Sequence, residues 1–104
     1  MELFIFARFH AQEGKETALE FLLRNQVPKA RAEPGCLVIN AYRSTRNPRL
    51  FFIHSCWLDE TAFDVHVALE NTNRFVEEAE KLIDHPFDVT RSYAITANNR
   101  AALP

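Results

Sequence analysis

Glycine is the scarcest structural resource of this chain: Gly14 and Gly35 are the only two in 104 residues. A phosphate-cradling loop needs several glycines close together so that backbone N–H groups can approach the anion, and none can be built here. Cysteine is as rare, with Cys36 and Cys56 alone, so no disulfide framework defines the fold. Neither charge sign is in excess. Twelve Lys and Arg stand against fourteen Asp and Glu, for a formal net charge of -2. Without a basic stripe, nucleic acid is excluded as an expected partner. No apolar run approaches the roughly 18 residues of a membrane helix. The opening MELFIFARFH has no basic n-region and no small-residue cleavage site, so no signal peptide is read. The expectation is a cytoplasmic protein that binds no membrane.

What is present is bulky apolar material. Hydrophobic residues make up 47% of the chain, and nine of them are Phe. At this length one domain with a real core is expected, over residues 1–97, followed by a frayed tail over 98–104. Residues 2–11 alternate Leu3, Ile5, Ala7 and Phe9 on one face with Phe4 and Phe6 on the other, which predicts a strand covered on both faces. Residues 15–32 carry Ala18, Leu19, Leu22, Leu23, Val27 and Ala30 at helical spacing. Pro28 is expected to kink or split that helix near Gln26. Strands are predicted over 36–44 and 50–58, joined by a turn at 45–49. Asp59 can cap a helix over 61–69. The run Asn71-Thr72-Asn73 is expected to break it before a second helical piece over 74–84. A last strand is predicted over 87–96, with Phe87, Val89, Tyr93 and Ile95 on one face.

Strand, helix, strand, strand, helix, strand is the order of an α+β, ferredoxin-like βαββαβ fold. It has a four-stranded antiparallel sheet with helices on one face. Helices cover only one face, yet apolar residues occupy both: Phe4 and Phe6 against Leu3 and Ile5, and Phe52 against Phe51 and Ile53. The bare face predicts a homodimer with two-fold symmetry, sheet against sheet. A hairpin centred on Asn47 would set Cys36 opposite Leu58 and Cys56 opposite Val38. The thiols would then be diagonal neighbours about 7–8 Å apart, too far for a disulfide.

The stretch Phe51 to His66, FFIHSCWLDETAFDVH, holds the candidate site. Trp57 ends a strand, and His66 follows it on the next helix, so both can face the space between sheet and helix. Apolar walls, one indole and one imidazole suit a flat aromatic ligand. Phe51, Ile53 and Ser55 alternate onto the Trp57 face and would line the same pocket. Asn40, Tyr42 and Tyr93 are further polar groups on apolar strands. Arg8 and Arg91 interrupt apolar faces and need partners. Pairing across the dimer is the preferred expectation. His10, His54 and His85 have no metal-ligand spacing, and no metal is expected.

These residues resemble a family. Gly14 after the first strand, Glu33-Pro34-Gly35-Cys36-Leu37, the corner Trp57-Leu58-Asp59-Glu60-x-Ala62-Phe63-x-x-His66, and Phe75 together resemble the antibiotic biosynthesis monooxygenase domain, of the small quinol-monooxygenase type. The resemblance implies a dimeric α+β barrel. It also implies oxidation of a quinol- or polyphenol-like aromatic substrate by dioxygen, without flavin, haem or metal cofactor. His66 would be the catalytic base, since imidazole has an ordinary pKa of about 6.5. Trp57 would be its catalytic neighbour, offering a flat wall and an N–H to a substrate oxygen. Phe51, Ile53, Ser55, Asn71 and Tyr93 would bind substrate.

Two positions depart from the family. A Glu commonly precedes the Trp by two residues, where Ser55 stands, and a second His commonly follows the first by five, where Asn71 stands. Three alternatives stay open. A small phosphorylated-ligand isomerase of the same family would need Arg8, Arg43 or Arg91 in the pocket. A haem-degrading relative would need an Asn on the first strand, and there is none. A non-catalytic small-molecule-binding dimer fits the two departures.

Overall fold

A computed structural model describes residues 1–97. The tail expected over 98–104 lies outside the described residues. The elements follow the expected order: β1 (Leu3–His10), α1 (Glu16–Arg31), β2 (Cys36–Arg43), β3 (Leu50–Trp57), α2 (Glu60–Ala68), α3 (Glu70–Glu80) and β4 (Asp88–Ser92). The strands form one sheet in the order β2-β3-β1-β4. Every pairing is antiparallel, with Leu3 opposite Trp57 and Phe9 opposite Phe51. This is the ferredoxin-like α+β arrangement read from the sequence.

Local chemistry explains the joints. Ser44 Oγ accepts the backbone N–H groups of Arg46 (3.1 Å) and Asn47 (3.0 Å), and Asn47 Oδ1 accepts that of Arg49 (3.0 Å). These bonds close the β2–β3 turn. Asp59 caps α2 as expected, its carboxylate accepting from the Ala62 N–H at 2.8 Å.

Four expectations are corrected. Helix α1 runs unbroken through Pro28. The proline lies in the last turn, so little ladder remains beyond the one hydrogen bond it removes. Buried Leu23, Val27 and Ala30 hold that end to the sheet. The break between α2 and α3 falls at Leu69, whose backbone is extended (φ -67, ψ 142). Asn71, Thr72 and Asn73 therefore sit in the first turn of α3, where unpaired N–H groups favour polar residues. Strand β4 stops at Ser92, which pairs with Phe4. Strand β1 begins at Leu3, so at most one further residue of β4 could pair, and Tyr93 and Ile95 stand exposed. Finally, a bulge between Cys36 and Val38 sets Cys36 opposite Trp57, not Leu58, while Val38 still pairs with Cys56. Cys36 thus shares the Trp57 face and Cys56 the other, and no disulfide joins them. Burial, then the nearby Glu33 charge, push the Cys36 thiol above its ordinary pKa, which keeps it protonated.

The core lies between sheet and helices in two parts. The larger gathers Phe9, Leu19, Leu23, Phe51, Phe75 and Ala79. The smaller, at the other end of β1, joins Leu3, Ile5, Trp57 and Phe63. The opposite sheet face carries Phe4, Phe6, Phe52 and Tyr42 with His54 among them, and Phe6 is 54% exposed. The His54 ring lies 5.0 Å from that of Phe6 and 6.4 Å from that of Phe4. This is the second apolar face that the strand pattern predicts.

The two glycines do different work. Both have positive φ, Gly14 at 87 and Gly35 at 85. A Cβ on Gly14 would meet nothing within 4 Å, but one on Gly35 would stand 2.7 Å from Ala62 Cβ. Gly35 is where the α1–β2 turn touches the first turn of α2. Gly35→Ala is expected to cost about 2–4 kcal/mol, from the backbone conformation and overpacking together. Gly14→Ala is expected to cost about 1–2 kcal/mol, from the backbone alone. Urea unfolding midpoints at unchanged slope measure both.

Candidate active site

Trp57 is the last residue of β3, and the capped turn at Asp59 folds α2 back over it. The indole is fully buried. It lies 4.6 Å from the His66 ring and 5.6 Å, edge-on, from that of Phe63. The strand-to-helix corner therefore brings Trp57 and His66 together. The third partner comes from elsewhere. Glu33, in the turn after α1, places Oε1 2.7 Å from His66 Nδ1, with both side chains 12% exposed. Thr72 Oγ1, from α3, stands 3.5 Å from the same nitrogen. A carboxylate only accepts, so Nδ1 carries the proton and Nε2 is left with its lone pair. Glu33 Oε2 is buried and has no hydrogen-bond partner among the described residues. A carboxylate half-satisfied in this way is costly.

His66 borders a cavity of about 520 Å³ between the sheet and the helices. Its floor is Ile5, Ala7, Phe9, Ile39, Ile53 and Ser55; its roof includes Gln26, Phe63, Val67, Thr72, Asn73, Phe75 and Val76. Val89 and Arg91 of β4 and the nearby Phe87 line one side. The size suits a small ligand, and the walls are mostly apolar.

The candidate residues fall into two groups. His66, Ile53 and Ser55 line the cavity. Trp57 does not; its N–H donates to Ser55 Oγ at 3.0 Å and is no longer free for a ligand oxygen. With one lone pair taken, the Ser55 hydroxyl keeps its own proton to donate. Phe51 is enclosed in the larger core cluster, with the Arg43 guanidinium 5.0 Å above its ring. Asn71 lies in α3 off the cavity wall, and its neighbours Thr72 and Asn73 line it instead. Tyr93 follows the end of β4, 63% exposed.

The arginines also separate. Arg91 lines the cavity and pairs within its own chain, 2.8 Å from Asp64 and 3.2 Å from Glu60, with Phe63 4.8 Å beneath it. This corrects the dimer pairing expected for it. Arg43 is held by Glu20 at 3.0 Å. Arg8 is exposed on the open sheet face, across from Asp88.

The polar residues not foreseen at the site are Glu33, which holds His66, and Gln26, Thr72 and Asn73, which line the cavity. Gln26 and Thr72 carried a signal. They interrupt the apolar stripes Leu19-Leu23-Ala30 and Phe75-Ala79 at core positions, and both are buried. Glu33 carried none toward His66, because the contact spans 33 positions of chain.

A family model, antibiotic biosynthesis monooxygenase, matches residues 3–78. No match was found among curated proteins. Solved structures similar to this chain include Rv0793 from Mycobacterium tuberculosis, at 22% identity and TM-score 0.87, covering 93% of this chain and 98% of that one. PA3566 from Pseudomonas aeruginosa is 29% identical, with TM-score 0.84 and coverage of 91% and 95%. A structure described as an antibiotic biosynthesis monooxygenase is 26% identical, with TM-score 0.84 and coverage of 90% and 99%. The first similarity speaks to the fold. With the family model spanning most of the sequence, the chain belongs to the antibiotic biosynthesis monooxygenase family.

Proposed function

We propose that this protein is a cytoplasmic, homodimeric, cofactor-independent monooxygenase acting on a quinol- or polyphenol-like aromatic substrate. The observation that carries the reading is His66 on the wall of an apolar cavity, held through Nδ1 by Glu33 at 2.7 Å. Nε2 removes a phenolic proton. The resulting anion is electron-rich enough to reduce dioxygen. For a quinol, one oxygen atom enters the ring as a hydroxyl, the other leaves as water, and the substrate supplies all four electrons. Glu33 stabilises the imidazolium formed in the first step, as a buried carboxylate does for a general base. The Ser55 O–H, fixed from behind by Trp57, donates to a substrate oxygen. Apolar walls keep water from the intermediates.

Ser55 in place of the family's Glu does not deprive His66 of a carboxylate, because Glu33 supplies one. This favours catalysis over simple ligand binding. A phosphorylated ligand fits poorly. Arg91, at the cavity, is already paired with two carboxylates, and Arg43 is held by Glu20.

Oxygen uptake by metal-stripped protein with hydroquinones and anthrone-like phenols tests the activity. Uptake above autoxidation is expected, falling at least about 100-fold in His66→Ala. Trp57→Phe, which releases the Ser55 hydroxyl, is expected to lower it less. No uptake from any ring, with the rings still quenching Trp fluorescence, would sink the oxygenase reading and leave a binding protein.

Glu33→Gln separates positioning from binding. It is expected to lower kcat by a smaller factor than His66→Ala while KM stays within about twofold. An unchanged kcat would remove Glu33 from the mechanism.

The open face bearing Phe4, Phe6 and Phe52 is the proposed dimer surface. Light scattering at micromolar concentration is expected to give twice the 12.0 kDa chain mass, and Phe6→Asp to give monomer. A wild-type monomer would overturn the dimer.

A further inference from the structure

Three metal-capable side chains meet at the end of the sheet remote from Trp57. Leu3 pairs with Trp57 at one end of β1, and His10 pairs with Leu50 at the other. The connection from α3 to β4 closes onto this second end, where the Asp84 N–H donates to the His10 carbonyl at 3.0 Å. Asp84 and His85 arrive with it. His10 Nδ1 lies 2.7 Å from Asp84 Oδ2, and His85 Nδ1 lies 2.5 Å from Oδ1. The two imidazoles are stacked, with centroids 5.8 Å apart and planes 26° from parallel. Donor atoms of all three side chains lie within 4.8 Å of one another.

We propose that His10, Asp84 and His85 form a binding site for one transition-metal ion of the Zn²⁺ class. Two imidazole nitrogens and one carboxylate oxygen suit zinc, nickel or copper, whereas calcium and magnesium want oxygen alone. Bonds of about 2.0–2.2 Å to a tetrahedral ion set its ligand atoms about 3.3–3.6 Å apart. The present 2.7 and 2.5 Å contacts are hydrogen bonds. Metal binding exchanges their N–H protons for the ion and opens each contact by about 1 Å. His85 is half exposed, with 49% of its side chain accessible, so it can swing outward to do this. Water completes the coordination.

The surrounding groups set the strength. The His10 hydrogen bond first, and that of His85 after it, hold the Asp84 carboxyl below its ordinary pKa. A carboxyl is ionised at neutral pH even without such a shift, so the oxygen ligand carries charge. Arg49 opposes the ion: its Nη2 is 3.0 Å from Asp84 Oδ2, and its Nε donates to the Ala11 carbonyl at 2.9 Å. Asn47 Nδ2 lies 3.4 Å from His10 Nε2. One carboxylate facing one guanidinium leaves no net field for a cation, so affinity comes from the donor atoms. The site touches neither His66 nor the cavity and does not depend on the activity proposed above. Occupied, it ties β1 to the α3–β4 connection and stabilises the folded state by mass action.

The test titrates Zn²⁺ into metal-stripped protein against a chromophoric chelator. One equivalent per chain is expected at about pH 7.5. Ni²⁺ should compete and Mg²⁺ should not. His85→Gln and Asp84→Asn should each weaken binding at least about tenfold. Cys36→Ser and His54→Gln should leave it unchanged, which separates the site from a thiol and from the open-face imidazole. Absence of binding, or binding that persists in His85→Gln, would overturn the site. Because His85 is exposed, its variant decides the matter even if Asp84→Asn fails to fold.

Discussion

The close approach of the α1–β2 turn to α2 is the constraint on which the site depends. Gly35 comes so near Ala62 that no side chain fits between them. Ala62 and His66 are one helical turn apart, so they share a face of α2. Glu33 is two residues before Gly35. The same backbone approach that forbids a Cβ at 35 therefore brings the Glu33 carboxylate to His66. The Leu58 N–H bond to the Gly35 carbonyl at 2.8 Å pins the turn to the end of β3 as well. Turn, strand end and helix start are locked together, and Trp57, Glu33 and His66 are the side chains that result. Stability and the geometry of the candidate site are thus coupled at one point of the backbone.

The sheet divides its labour between faces. One carries the core and the cavity; the other presents Phe4, Phe6 and Phe52 outward. An open apolar face on a chain this small is a demand for a partner, since hydrophobic area left in water gives up about 25 cal/mol per Å². His54 is the polar interruption in that face, and it lies against the rings of Phe4 and Phe6. Arg8 is the charged one, at the row shared with Asp88. Arg8 sits near the end of β1, as a polar rim would have it, whereas His54 lies in the middle of the face, between Phe6 and Asn40.

What the sequence made legible was whatever obeys a local period. Alternation over β1 and β3, the helical stripe of α1, the Asp59 cap and the two glycines all act over a few residues, and the fold follows from them. The placement of Trp57 beside His66 was legible for the same reason, being a single strand-to-helix corner. What was not legible needed long-range geometry. The bulge after Cys36 shifts one pairing and moves a thiol to the other face. The end of β4 is set by where β1 begins, most of a chain length away. Glu33 finds His66, and His10 finds Asp84, only because the sheet closes. Asn71 was expected at the site from its spacing to His66. The helix break two residues earlier turns it away and brings Thr72 and Asn73 inward.

The cavity's polarity follows from how its few polar groups are already committed. Arg91 borders it with its charge matched by Asp64 and Glu60. Trp57 spends its N–H on Ser55. His66 spends Nδ1 on Glu33. What remains to face a ligand is one basic nitrogen, the hydroxyls of Ser55 and Thr72, and the amides of Gln26 and Asn73 among apolar walls. A neutral, flat, hydroxylated ring can satisfy that set. Its apolar faces would meet walls such as Ile5, Ile53 and Phe75 without stranding a charge. A phosphate or a carboxylate entering the same space would have to outcompete Asp64 and Glu60 for Arg91 while losing its own hydration. On the function proposed above, selectivity toward uncharged aromatics would arise from charges cancelled before any ligand arrives.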